Sequence, residues 1–231
     1  MRLQDLNWMD VERYLAHDNR IILVTGATEQ HAYLSLMTDV LIPARIAEAV
    51  AQREQVLIAP PLNFGVSYYF GEFPGTISLS QQTFDYAVLE IVESLFHQGF
   101  RRFFVFNGHG GNQIPERLKD FQMDGVIQVM WYDWWRGNAA TRFASGIGHT
   151  IEHANWAENF PFNRVAESPK VEKPRANTDF LYTARYESRD MLGDGSFGGA
   201  YEMPDEVMLA LFDAVVDEAA RLVQSMEIGE A

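Results

Sequence analysis

Three features of the sequence predict an α/β fold built on a mostly parallel sheet covered on both faces. Short apolar runs end in turn residues, segments of helical period lie between them, and the chain holds enough apolar residues for one core. The strand runs are residues 21–25 before Gly26, 56–59 before Pro60 and Pro61, 103–106 before Asn107 and Gly108, and 126–131. Helical spacing follows at 38–53, with Thr38 as the expected N-cap and Pro43 limiting the bonding of the first turns. It recurs at 80–97, between a Ser80 cap and a Gly99 stop. From Pro204, a good first helical residue, Val207, Met208, Leu211, Phe212, Val215, Val216, Ala219, Leu222 and Val223 form one apolar stripe. Strands alternating with helices imply crossover connections and parallel pairing. Residues 162–177, with prolines and scattered charge, read as a loop or arm.

Composition narrows the function. The 231 residues carry 18 Lys and Arg against 32 Asp and Glu, a net charge of −14. Such a chain repels phosphate backbones and anionic lipid, so neither nucleic acid nor membrane is an expected partner. Hydrophobic residues make up 47% and aromatics 13%, which excludes a disordered chain. One domain over residues 1–231 is expected at this length. Cysteine is absent, which removes disulfides, thiolate nucleophiles and Cys-based zinc sites; any metal must rest on His, Asp and Glu. The first residues lack a secretory apolar segment, and no run approaches the ~20 residues of a membrane span, so a soluble cytoplasmic protein is expected.

Open parallel sheets bind ligands at the carboxyl ends of their strands, which directs attention to three clusters. After the first strand come Glu29 and His31, then Asp39 at the start of the next helix. In an extended segment Glu29 and His31 point to one side, and with Asp39 they could hold a divalent metal. A capping Asp39, a surface Glu29 and a hydrogen-bonded His31 would explain the same residues. After the third strand the chain reads Asn107, Gly108, His109, Gly110, Gly111, Asn112 and enters a helix. The glycines let backbone N–H groups approach a ligand, with the helix N-terminus favouring negative charge. A dinucleotide loop would need glycine at Gln113, and no Lys-Ser/Thr pair makes a Walker loop. A tight turn accounts for the glycines but not for His109. The third cluster, 149–153, fits H-x-x-E-H, the inverted zincin pattern, through His149, Glu152 and His153. A solvated helix face fits it as well.

Together these motifs resemble the creatininase (creatinine amidohydrolase) family. Its G-x-x-E-Q-H-G-P-H-L-P-L-x-T-D is similar to GATEQHAYLSLMTD at 26–39, and its P-x-x-x-G-x-S-x-x-H-x-x-F-P-G-T to PLNFGVSYYFGEFPGT at 61–76. N-G-H-G-G-N stands complete at 107–112, H-A-x-x-x-E-T-S is similar to HANWAENF at 153–160, and a late G-D element is echoed at Gly193 and Asp194. The resemblance runs in order over about residues 8–211.

The resemblance implies a layered α/β/α sandwich, an amidohydrolase opening a linear or cyclic C–N bond of a small molecule. It also implies two divalent metals per chain, zinc, manganese or iron, and a homo-oligomer, often a hexamer. By position, Glu29 and His109 would hold one metal, His31 the other, and Asp39 both. A hydroxide shared by the metals would attack the amide, Gly110 or Gly111 would steady the oxyanion, and His153 would protonate the departing nitrogen. Creatininase supplies a further Glu where this chain has Gly111, so Glu158 is the candidate to complete the second metal's ligands and the catalytic set. Tyr69 and Trp156 are expected against the substrate, and Trp131, Trp134 and Trp135 either there or in packing. Ala32 and Tyr33 replace Gly-Pro, Phe70 a histidine, and Asn159 and Phe160 Thr-Ser, which reshapes the pocket and argues against creatinine as substrate. Two rivals stand beside this expectation: a mononuclear zinc peptidase using His149 and His153 with Glu152 as base, and a non-catalytic ligand-binding member.

Overall fold

The alternation of apolar side chains along the strands dictates the layering. In the computed structural model, which describes residues 1–179 and 188–226, four strands form one sheet: β1 (Arg20–Thr25), β2 (Leu57–Ile58), β3 (Arg102–Asn107) and β4 (Gln128–Asp133). All pair in parallel in the order β2-β1-β3-β4. Ile22 and Val24 of β1 enter one core with Phe104, Phe106 and Tyr132, while Ile21 and Leu23 enter the other with Phe103, Val105 and Val129. With helices on both faces, β1 and β3 are buried at every residue, so they read as unbroken apolar runs.

The first core is closed by α2 (Thr38–Glu54), α5 (Asn138–Gly146) and α7 (Asp205–Ser225), the second by α3 (Gln81–Gln98) and α4 (Glu116–Met123) with side chains of α1 (Trp8–Leu15). This is the layered α/β/α arrangement expected. A five-residue α6 (Ser188–Leu192) lies outside both cores. The stripe on α7 packs as read, Met208, Leu211, Val215, Val216, Ala219 and Val223 all entering the first core. Among the described residues no helix is long and apolar enough to cross a membrane.

Element ends differ from the sequence reading for local reasons. The second strand shrinks to Leu57–Ile58 because Pro60 and Pro61 have no N–H to offer a ladder. The fourth starts at Gln128 rather than Val126, whose N–H closes the end of α4 on Phe121 O (3.1 Å). Thr38 is the first residue of α2, not its cap; its hydroxyl donates to Ser35 O (2.7 Å). Ser80 and Gly99 cap α3 as read, Gly99 at φ 117°. Pro204 precedes α7 as its N-cap. Helix α1, capped reciprocally by Asn7 and Asp10, carried no sequence assignment. Residues 162–177 hold no helix or strand.

Two glycines decide where α2 sits. Gly26 follows β1 and Gly108 follows β3, and a Cβ on either would meet the backbone oxygen of Asp39, at 2.4 Å and 1.9 Å respectively. Only glycine lets the first turn of α2 rest on both strand ends. The β1/β3 boundary is also where the strand order reverses, the usual ligand crevice of such sheets.

Gly108→Ala should therefore lower the unfolding free energy by about 1–3 kcal/mol, the usual cost of overpacking. Gly146→Ala, at a position with nothing within 4 Å of the new Cβ, is the control. Denaturant midpoints measure both, and equal values would contradict the close approach of α2.

Candidate metal centre at the β1/β3 switch point

The loops after β1 and β3, the first turn of α2 and the segment after α5 contribute acid and imidazole groups, and the fold buries them together. Residues 29–36 form a closed loop after β1, the Glu29 N–H donating to Leu36 O (3.0 Å). Its backbone turns through Ala32 at φ 50°, a conformation costly for a residue with a Cβ. Asp39 enters from α2, His109 from the loop after β3, and Glu158 from the 3-10 turn Trp156–Glu158. Glu29, His31, Asp39, His109 and Glu158 are all buried.

The two oxygens of Asp39 face different imidazoles. Oδ1 lies 2.9 Å from His31 Nε2, and Oδ2 lies 2.8 Å from His109 Nδ1. Glu29 Oε1 is 3.4 Å from His109 Nδ1, and Glu158 Oε2 is 3.7 Å from His31 Nε2. The far side of each ring has its own acceptor: His31 Nδ1 is 3.2 Å from Glu29 O, and His109 Nε2 is 2.9 Å from Val66 O. Donating outward to those carbonyls leaves each inner nitrogen as a lone pair aimed at carboxylate oxygens. Among the described residues Glu29 Oε2 is buried without any hydrogen-bond partner, and the 2.9 Å approach of His31 Nε2 to Asp39 Oδ1 lacks hydrogen-bond geometry. Lone pairs facing lone pairs away from water call for a cation or extra protons between them. Ligand atoms of Glu29, Asp39 and His109 lie within 4.8 Å of one another, as do those of His31, Asp39 and Glu158, and those of Glu29, His31 and His153.

The electrostatics say the same. Burial disfavours the His31 imidazolium, yet the Asp39 carboxylate beside it, with Glu158 and Glu29, raises its pKa to about 10. His109 is pushed well above its ordinary value against burial by Glu29 and Asp39. Asp39 is held low despite burial by the His31 and His109 charges. Burial and the neighbouring carboxylates raise Glu158 to about 7, with the His31 charge opposing. His153 goes the other way, lowered by burial and then by the His31 charge.

Backbone and aromatic groups complete the wall. Asn107 Oδ1 accepts from Asn112 Nδ2 (3.1 Å), Asn107 Nδ2 donates to His109 O (2.8 Å), and Asn112 Oδ1 accepts from Val66 N (3.1 Å), so the two asparagines staple the glycine loop. That loop does not enter a helix at once: α4 starts at Glu116, so no helix N-terminus stands at His109. Gly110 and Gly111 line the cavity, and among the described residues neither N–H has a protein acceptor. A Cβ on Gly111 would meet Val66 O at 2.1 Å, Tyr69 Oη at 2.5 Å and His109 Nε2 at 2.6 Å, so no acidic side chain fits there. Tyr69 lines the cavity, but its hydroxyl lies 3.2 Å from the outer nitrogen of His109.

Gln30, unassigned from sequence, orients His153. Its Oε1 accepts from Ala32 N (3.2 Å) and its Nε2 donates to Gly195 O (3.0 Å), which fixes the amide, while His153 Nε2 lies 2.8 Å from Gln30 Nε2 and 3.1 Å from Gln30 O. Phe70 stacks on the His153 ring at 4.7 Å and Phe197 meets it at 4.9 Å. No short motif around Phe197 announced this contact; chain reversal through Gly195 at φ 99° creates it.

Two sequence expectations need correction. Trp156 does not touch the cavity: it is fully buried in the first core, its Nε1 donating to Thr150 O (3.0 Å). Of the other tryptophans only Trp135 lines the cavity, while Trp134 joins the first core and Trp131 packs against the second. Residues 147–155 form no helix because α5 ends at Gly146 and Gly148 turns at φ 75°, so His149 and His153 share no helix face. His149 instead packs on Trp156 at 5.9 Å, and Glu152 pairs with Arg175, which dismantles the zincin geometry.

A parallel α/β/α sheet with a buried carboxylate and imidazole cluster at its switch point defines a class of α/β proteins equipped to hold divalent metal. The chain belongs to the creatininase family: the family model, creatinine amidohydrolase, matches residues 4–223. It is 35% identical over 170 residues to the creatinine amidohydrolase of Pseudomonas putida, covering 64% of this chain and 65% of that one. It is 34% identical over 99 residues to the mycofactocin precursor peptide peptidase of Mycolicibacterium smegmatis, covering 40% of each. These matches span less than two thirds of either relative's length. Among solved structures, an E122Q mutant creatininase of Zn-Zn type superposes with a TM-score of 0.75 at 25% identity, covering 96% of both chains.

In metal-free protein, the raised pKa values make stability fall with rising pH. The His31 contribution is complete below its ordinary value of 6.5 and lost as pH rises through about 10. The penalty for ionising Glu158 develops as pH rises from 4.5 through about 7. A divalent cation displaces these protons, so zinc should raise the melting temperature more at pH 9 than at pH 6, with proton release in calorimetry. A stabilisation independent of both pH and buffer would contradict a centre at these residues.

Proposed function

We propose that the protein is a metal-dependent amidohydrolase that opens a C–N amide bond of a small molecule, using two divalent cations per chain. One observation carries this: Asp39 presents each oxygen to a different imidazole, dividing five buried ligands into two sets that share one carboxylate. Glu29, Asp39 and His109 would hold one cation, and His31, Asp39 and Glu158 the other. Oxygen and imidazole donors suit zinc, manganese or iron. When bound, such cations act as Lewis acids, acidifying water and withdrawing electron density from a carbonyl oxygen.

The chain's own groups handle the rest of the reaction. The Gly110 and Gly111 N–H groups, without acceptors among the described residues, can receive the negative charge that grows on the carbonyl oxygen. His153 Nδ1 lies 3.8 Å from Glu29 Oε1; lowered in pKa and so neutral, the imidazole would take up the proton lost by the attacking water and pass it to the departing nitrogen. Phe70, Phe197 and Tyr69 keep water from this side of the cavity. The names of two relatives cite creatinine and a precursor peptide, which supports hydrolysis of a C–N bond and leaves the choice of substrate to the cavity. We also assign a homo-oligomeric assembly, which light scattering tests.

Elemental analysis of purified protein should find about two equivalents of metal per chain. Asp39→Ala should lose both, His31→Ala about one, and His149→Ala neither. Hydrolysis of an amide panel should fall at least ~100-fold in the first two variants, since even groups that only orient a ligand cost 10–100-fold. Two retained equivalents in Asp39→Ala would refute the shared carboxylate. Full metal with no turnover across the panel would favour a non-catalytic binder.

A further inference from the structure

The metal-binding cluster fills only one part of the cavity it faces. That cavity measures about 1210 Å³, above the ~300–1,000 Å³ usual for small-ligand pockets. A single small ring would leave most of it to water. Beside the cluster, its lining includes Trp135 and two guanidinium groups, Arg136 and Arg175, in a chain of net charge −14.

The two arginines are not equivalent. Arg175 is matched by Glu152, with which it forms an ion pair. Among the described residues Arg136 pairs only with Asp133, 3.5 Å away, and Asp133 Oδ1 already accepts from Asn107 Nδ2 (2.8 Å) and Trp131 Nε1 (3.0 Å). Among the described residues the Arg136 guanidinium makes no hydrogen bond, and its side chain is 69% exposed. It lies over the Trp135 indole, Cζ 5.7 Å from the ring centre. This cation–π contact leaves the N–H donors of the planar fork for a bidentate anion.

A continuous wall links that fork to the cluster. The 3-10 turn Trp134–Arg136 follows β4 directly, and Asp133 at the end of β4 pairs with Asn107 at the end of β3. The Trp135 ring edge sits 3.8 Å from where a Cβ on Gly110 would stand, and Gly110 follows His109. A molecule with its carbonyl at the cluster can therefore run along Trp135 and end at Arg136.

We propose that the cavity selects an elongated amide carrying a free carboxylate, of the N-acyl amino acid or short peptide class, and that Arg136 receives the carboxylate through its fork. This inference rests on the amidohydrolase reading for the position of the amide. Its binding half can be measured without turnover.

N-benzoylglycylglycine and its C-terminal carboxamide differ only in the terminal charge, and both can be titrated calorimetrically into zinc-loaded protein. The acid should bind ~10-fold or more tightly than the carboxamide, as a charge-assisted bidentate contact implies. The preference should vanish in Arg136→Ala, persist in Arg175→Ala, and return in part in Arg136→Lys, with metal content per chain unchanged. Equal or absent binding of the two forms, or a preference that survives Arg136→Ala, would overturn the proposal; in the latter case the cluster's own cations or Arg175 hold the acid. Metal-dependent cleavage without a carboxylate preference would keep the hydrolase and remove Arg136 from recognition. A preference that tracks Arg136, without metal-dependent cleavage across a broad amide panel, would do the reverse.

Discussion

Three carboxylates, those of Glu29, Asp39 and Glu158, are buried within a few ångströms of one another, and every ion pair recorded for them among the described residues runs to a histidine. Burying that much like charge without lysine or arginine is sustainable only if positive charge arrives from elsewhere. Extra protons supply it in the metal-free protein, which is why His31 and His109 hold theirs so strongly. Divalent cations meet the same need, because each inner nitrogen, once its proton is displaced, presents a lone pair toward the carboxylates. The demand for compensating charge and the capacity for metal chemistry are thus one property.

The fold keeps this arrangement in place by close backbone approach. Gly26 and Gly108 let α2 press onto two neighbouring strand ends, so the Asp39 carboxylate stands between the loops that carry His31 and His109. Two alanines in left-handed conformation follow two of the histidines directly: Ala32 after His31 and Ala154 after His153. Each conformation costs on the order of 1–2 kcal/mol, and each is held by a contact of the site itself. The Ala32 N–H donates to Gln30 Oε1, and the Ala154 N–H donates to Glu158 Oε2 (2.6 Å). Strain, hydrogen bonding and ligand placement therefore stand or fall together.

Departures from the family motifs fall around the cluster rather than in it. Gly111 is enclosed so tightly by Val66, Tyr69 and His109 that a side chain there is excluded, and Glu158 approaches His31 from a different segment. Phe70, in place of a histidine, turns one polar wall into a stacking surface for His153. Asn159 and Phe160 turn away from the cluster, one donating to Tyr201 O (2.7 Å), the other buried in the first core. The surroundings of the cluster thus depart from the family motifs while the five buried acid and imidazole groups stay together.

Periodicity and turn chemistry alone determined the layers, the parallel sheet, the capping of α3 and the stripe of α7, because these depend on near neighbours in sequence. The acid and imidazole groups were visible as motifs for the same reason, each lying just beyond an apolar run. What remained for tertiary structure was everything set by distance between remote segments. Only the folded chain shows that each Asp39 oxygen faces a different ring, that Gln30 steers His153, that Trp156 is core while Trp135 is wall, and that 149–153 is no helix. Local sequence encodes conformation within a few residues; the orientation of lone pairs from loops more than 100 residues apart follows from how helices seat on a sheet, which no short pattern records.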